Sequence, residues 1–105
     1  ALLEGEKPRL VRDLGDKRFL MLRNHGLLTT GTSVAEAFLA MYVFEAACMI
    51  QVRAQAGGGE LVHIPQAILD MAPGQITQVT LGMGGALAWP ALLRKLDRRN
   101  PGYAQ

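Results

Sequence analysis

The chain has 105 residues, an apolar fraction of 50% and a formal net charge of +2. That is one domain's length with enough apolar residues for a packed core, which excludes a disordered chain, and the charge is too small to name a partner by itself. The single cysteine, Cys48, excludes an internal disulfide and fits a reducing compartment, and Glu4 and Glu6 stand where a secretory leader would be apolar, so the expected location is cytoplasmic.

In chain order, Pro8 to Leu14 form a short helical pattern, with Leu10 and Leu14 four residues apart and Gly15 as the stop. Asp16-Lys17 then turns the chain into Phe19-Leu20-Met21-Leu22, an apolar run matched by Leu27-Leu28-Thr29-Thr30. With Asn24-His25-Gly26 between them, the two runs predict a β-hairpin or a tight strand pair. Gly26 tolerates positive φ, so His25 is expected at a strand end with its imidazole presented to one side. From the residues alone His25 is either a histidine bonded locally in a turn or a ligand or proton carrier.

Gly31-Thr32-Ser33 closes the second strand. Ser33-Val34-Ala35-Glu36 has the form of a capping box, with Ser33 as N-cap and Glu36 as the third helical residue. No Gly or Pro interrupts Val34 to Ala56, which predicts a helix roughly 34 Å long. Eighteen of its 23 residues are apolar, and Glu36, Glu45, Gln51, Arg53 and Gln55 do not gather on one face. Such a helix needs cover on all sides, from a second subunit or from more chain. A membrane span is not expected, because Glu45 stands near its middle and the longest unbroken apolar run is only Ala37 to Phe44.

Glu45 projects about 180° from Glu36, among Val34, Phe38, Met41, Met49 and Val52. A carboxylate on such a face is expected to be buried and paired. Arg23 is the first candidate partner, His25 the second, and a backbone or hydroxyl donor the third. The expected role is to fix helix against sheet, with orientation of His25 as the alternative.

Beyond Ala56, Gly57-Gly58-Gly59 reads as a flexible joint. Ile64 to Ala72 predicts a short helix with Pro65 at or near its first position and Pro73-Gly74 as its stop. Gln75 to Leu81 is ambiguous between strand and helix. Gly82-Met83-Gly84-Gly85 reads as a second joint; a dinucleotide loop would need a strand, a helix and an acidic residue that cannot be fitted before the chain ends. Trp89, Leu92, Leu93 and Leu96 form one stripe of a last helix that ends near Asn100-Pro101-Gly102. Its basic run, Arg94 to Arg99, reads as complement to the helix dipole rather than as a phosphate or lipid contact, so neither nucleic acid nor membrane is an expected partner.

Phe19 to Gly31, Ser33 to Phe38 and Glu45 to Gln51 together resemble the second half of the class II aldolase/adducin domain. The resemblance covers most of the chain and is strongest from Arg18 to Gly58. Ala47 to Ala54 and the closing stretch from Leu92 to Tyr103 are similar to the adducin-like bacterial branch. The resemblance implies an α/β fold, the C-terminal half of a three-layer arrangement with an antiparallel or mixed sheet flanked by helices. Residues 1–105 are then a partial domain without the half that carries His-x-His, and Ala1 marks a cut inside a longer protein.

The same resemblance implies that His25 is one ligand of a catalytic zinc; Arg23, Asn24 and Glu45 are the residues expected around it in a structural or supporting role. It assigns no catalytic residue. The implied parent is a zinc-dependent aldolase or epimerase acting on a small carbonyl or sugar-phosphate substrate, the metal polarising a carbonyl. The alternative is a non-catalytic adducin-like module for oligomerisation or cytoskeleton binding. Either way the implied partner is a second copy of the chain or the missing N-terminal half. No His-x-His occurs here, and His63 matches no ligand of the family.

Overall fold

The computed structural model describes residues 4–105, so the expectation about Ala1 falls outside the described residues. The elements in order are α1 (Glu6–Leu14), β1 (Phe19–Leu22), β2 (Gly26–Thr29), α2 (Val34–Ala56), α3 (Gln66–Thr80) and α4 (Ala88–Arg99). Pro8 lies in the first turn of α1, where its missing N–H breaks no helical bond. Gly15 ends that helix at φ +55, its N–H donating to the Val11 carbonyl at 3.0 Å.

β1 and β2 form an antiparallel pair in the register Phe19 with Thr29, Leu20 with Leu28, Met21 with Leu27 and Leu22 with Gly26. Directly paired residues share a face of the sheet. The face of Phe19 and Thr29 is the one laid on α2: the Phe19 ring meets Phe44 edge-on at 5.2 Å, and the Thr29 hydroxyl donates to the Ala37 carbonyl at 3.0 Å. Ala37, Ala40 and Phe44 recur at the spacing of one helix face, and Ala40, 8% exposed, is the single buried apolar residue among those described. A small side chain at the crossing lets strand and helix approach closely.

Ser33 caps α2 as expected, its hydroxyl accepting from the Glu36 N–H at 3.1 Å. The reciprocal half of the box differs. The Glu36 carboxylate reaches past Ser33 and accepts from both the N–H and the hydroxyl of Thr32, each at 2.6 Å.

The second glycine stretch is a packing contact and not a joint. Gly85 is buried against the Ala35 carbonyl in the first turn of α2, where a Cβ would collide with backbone. That approach sets α4 beside α2, with Trp89 edge-on to Phe38 at 5.3 Å. Trp89, Leu92, Leu93 and Leu96 are the half-buried residues of α4, the stripe that the spacing predicts.

The expected stop at Pro73-Gly74 is also corrected, since α3 runs through both residues to Thr80 and resolves Gln75–Thr80 as helix. Pro73 removes the N–H that would bond the Leu69 carbonyl. Leu69 is exposed, so water can take that carbonyl; the helix continues past Pro73 to Thr80, and the Thr77 hydroxyl adds a side-chain bond to the Pro73 carbonyl at 3.1 Å. Leu81, at φ +52, closes the helix by donating its N–H to the Thr77 carbonyl.

A folded monomer of this mass exposes about 5,800 Å² and a chain of this length has a radius of gyration of about 13 Å. This chain exposes 9078 Å² with a radius of 17.2 Å. The excess comes from apolar surface on α2 and α3, including Tyr42, Ile50, Val52, Ile68 and Ile76. Among the described residues α2 is the one helix long and apolar enough to cross a membrane. Here it is the central packing helix, docked by the hairpin and by α4.

Candidate functional site

The hairpin loop is Arg23-Asn24-His25, joining Leu22 to Gly26. The His25 N–H donates to the Leu22 carbonyl at 3.4 Å, which closes a turn with Asn24 in its third position at φ +62. Asparagine enters this left-handed region more readily than other side-chain-bearing residues. Gly26 follows at φ +132, where a Cβ is strongly disfavoured. The two residues flanking His25 therefore hold it at the tip by backbone geometry, and its imidazole is exposed. Arg23 and Asn24 are exposed beside it.

Glu45 does not join them. It is exposed, and among the described residues no hydrogen bond or ion pair links it to Arg23, His25 or any other group. The expectation of a buried, paired carboxylate is corrected by the phase of the helix. The hairpin docks on Ala37, Ala40 and Phe44, and Glu45 lies roughly 80–140° round from them. His63 is exposed in the stretch before α3.

The acidic residue that is engaged is Glu36. Besides Thr32, its carboxylate takes the Arg18 guanidinium at 2.7 Å, and its side chain is 22% exposed. The hydroxyl and then the backbone N–H of Thr32, with Arg18 beside them, hold the Glu36 carboxyl below its ordinary range against a smaller opposing effect of burial. Arg18 precedes β1 and its carbonyl accepts from the Thr30 N–H at 3.0 Å, so this cluster ties the open end of the hairpin to the start of α2. An open cavity of about 360 Å³ lies beside it, lined by Leu14 to Arg18, Thr30 to Thr32 and Glu36. The capping-box spacing identified Glu36; Arg18 and Thr32 were missed, and nothing local in the sequence marks Arg18 as its partner.

Among the described residues no three of His, Cys, Asp and Glu come together as a metal-holding group. His25 is a lone imidazole on a fixed turn.

Residues 2–52 match the family described as the class II aldolase and adducin N-terminal domain. Across its whole length the chain is 58% identical to a Pseudomonas aeruginosa protein that carries a provisional class 2 aldolase name. It belongs to the class II aldolase/adducin family.

The α/β fold expected from the resemblance is shared with a solved structure of the aldolase II superfamily from Pseudomonas syringae, which is 43% identical over the full chain with a TM-score of 0.82. Rat alpha-adducin is 36% identical over 95% of the chain. This class II aldolase/adducin chain spans 42% of the Pseudomonas aeruginosa relative, 42% of the solved chain and 15% of alpha-adducin. Its open apolar faces thus belong to a shape that the solved relative adopts within a chain more than twice as long.

Proposed function

We propose that residues 1–105 are the C-terminal part of a class II aldolase-type domain and bring the Asn24-His25-Gly26 tip to a metal site whose other ligands lie upstream. The parent is then a cytoplasmic, oligomeric carbon–carbon lyase or epimerase that acts on a small carbonyl or sugar-phosphate substrate. The observation that carries this reading is the turn itself: Asn24 and Gly26, both at positive φ, present an exposed imidazole on a family member's hairpin.

The donors in this chain do not fit a complete zinc site. Catalytic zinc takes three protein ligands and keeps one position open, whereas the described residues offer no group of three. No reaction step is therefore routed through the metal. This chain's own contribution is position: the turn fixes the His25 backbone at the tip, from which the imidazole projects, with Arg23 and Asn24 just before it. Glu45 can act on His25 only if a further element brings the two together.

A second reading, a non-catalytic adducin-like assembly module, is favoured by the likeness to alpha-adducin. The test is a form of the protein extended upstream of Ala1. The enzyme reading expects about one zinc per chain and aldol cleavage, both lost in His25→Ala and after chelation. An extended form that folds with no zinc and no cleavage supports the assembly reading.

A further inference from the structure

The hairpin is fastened to α2 near its open end. The Phe19–Phe44 ring contact and the bond from the Thr29 hydroxyl to the Ala37 carbonyl both lie at the outermost strand pair, Phe19 with Thr29. Toward the tip the hold weakens. Leu27 is half-buried, but Met21 across from it is 65% exposed, and Arg23, Asn24 and His25 are exposed. The tip is therefore the free end of a lever. From Thr29 back to His25 the arm is roughly 14 Å at about 3.4 Å per residue, so a tilt of about 5° at its base moves His25 by roughly 1 Å. A misplacement of about 1 Å in a working group can cost on the order of 100-fold in rate.

The base of that lever is gripped by Glu36. Its Oε1 takes the Arg18 guanidinium at 2.7 Å, and its Oε2 accepts from the N–H and the hydroxyl of Thr32, each at 2.6 Å. Arg18 immediately precedes β1 and Thr32 follows β2, so each carboxylate oxygen holds one leg of the hairpin. The legs are joined at the same level by the Thr30 N–H, which donates to the Arg18 carbonyl at 3.0 Å. The carboxylate is itself seated on α2. The Ser33 hydroxyl accepts from the Glu36 N–H, and Gly84 lies over the side chain, where a Cβ would come within 3.4 Å of the Glu36 Cγ.

We infer that Glu36 is a positioning residue for His25: by gripping both legs of the hairpin from the first turn of α2, it sets the angle at which the imidazole is presented. A carboxylate that served only the helix end would bond the N–H of Ser33, as a capping box does. This one reaches past Ser33 to Thr32 and across to Arg18. The inference deepens the metal reading, on which its effect on zinc rests; its effect on the tip does not depend on that reading.

The test uses the form extended upstream of Ala1, with zinc affinity read by chelator competition and the His25 and Gly26 amide signals read by two-dimensional NMR. In Glu36→Gln the side chain keeps an acceptor for Thr32 but turns an NH2 group toward the Arg18 guanidinium. This variant and Arg18→Met are expected to shift and broaden both tip signals and to weaken zinc binding about 10–100-fold. Arg18→Lys keeps the cation and is expected to restore both. Ser33→Ala is the control, because it removes the cap in the same turn and leaves both legs held. It is expected to lower stability with tip signals and zinc affinity as in wild type. Unmoved tip signals in Glu36→Gln and Arg18→Met, or an equal shift in Ser33→Ala, would make Glu36 an ordinary cap and overturn the inference. A wild type that holds no zinc would sink the metal reading alone, since the tip signals still decide the clamp.

Discussion

Replacing Gly85 with alanine tests how α4 is seated. The added methyl group meets the Ala35 carbonyl, which belongs to the first turn of α2 and cannot rotate aside. Overpacking against a fixed neighbour costs about 1–3 kcal/mol. Relief requires α4 to withdraw, which opens the Phe38–Trp89 edge-on pair, worth about 0.5–1.5 kcal/mol beyond its area. The two together give an expected loss of about 2–4 kcal/mol. Gly74→Ala is the control, because nothing lies within 4 Å of its Cβ position in α3, and it is expected to stabilise by about 0.4–1 kcal/mol through the unfolded state. Urea unfolding read by Trp89, the only tryptophan, measures both, at one protein concentration because association shifts the midpoint. A Gly85→Ala variant within about 0.5 kcal/mol of wild type, the range of an indifferent surface change, would refute the close approach.

Ser33→Ala removes the acceptor for the Glu36 N–H and is expected to cost about 1 kcal/mol by the same unfolding measurement. Asn24→Val, forced to φ +62, is expected to cost about 1–2 kcal/mol while Asn24→Gly stays near wild type, again by urea midpoint. The Glu36 carboxyl is held down by Thr32 and Arg18, so its contribution is full above its ordinary value of 4.5 and is lost as pH falls through the lower folded value. A midpoint series across that acid range is expected to fall less steeply in Glu36→Gln than in wild type. Glu45→Ala is expected to stay within about 0.5 kcal/mol of wild type, since the carboxylate is exposed and unpaired here.

The parts legible in the sequence are those decided within a few residues. The hairpin follows from two apolar runs and an Asn-His-Gly turn, and the start of α2 follows from Ser33 and Glu36. The α4 stripe follows from the spacing of Trp89, Leu92, Leu93 and Leu96. What sequence reading missed depends on partners far along the chain. Gly85 looks like a hinge until Ala35, fifty residues earlier, is brought against it. Pro73 looks like a stop, but on an exposed helix the one orphaned carbonyl can turn to water. Glu45 was placed by helix phase alone, and the phase was sound; the face on which the hairpin docks is the neighbouring one, set by Ala37, Ala40 and Phe44. His25 was located at its turn, and the ligand role proposed for it needs further donors that the described residues do not bring to it.

The central claim is that this chain is one part of a larger site and supplies a single ligand to it. Titration of the purified 105-residue chain with zinc in the presence of a competing chelator tests that directly. The expected result is weak binding with no defined stoichiometry and no difference between wild type and His25→Ala. One tightly held zinc per chain, lost in His25→Ala, would contradict it.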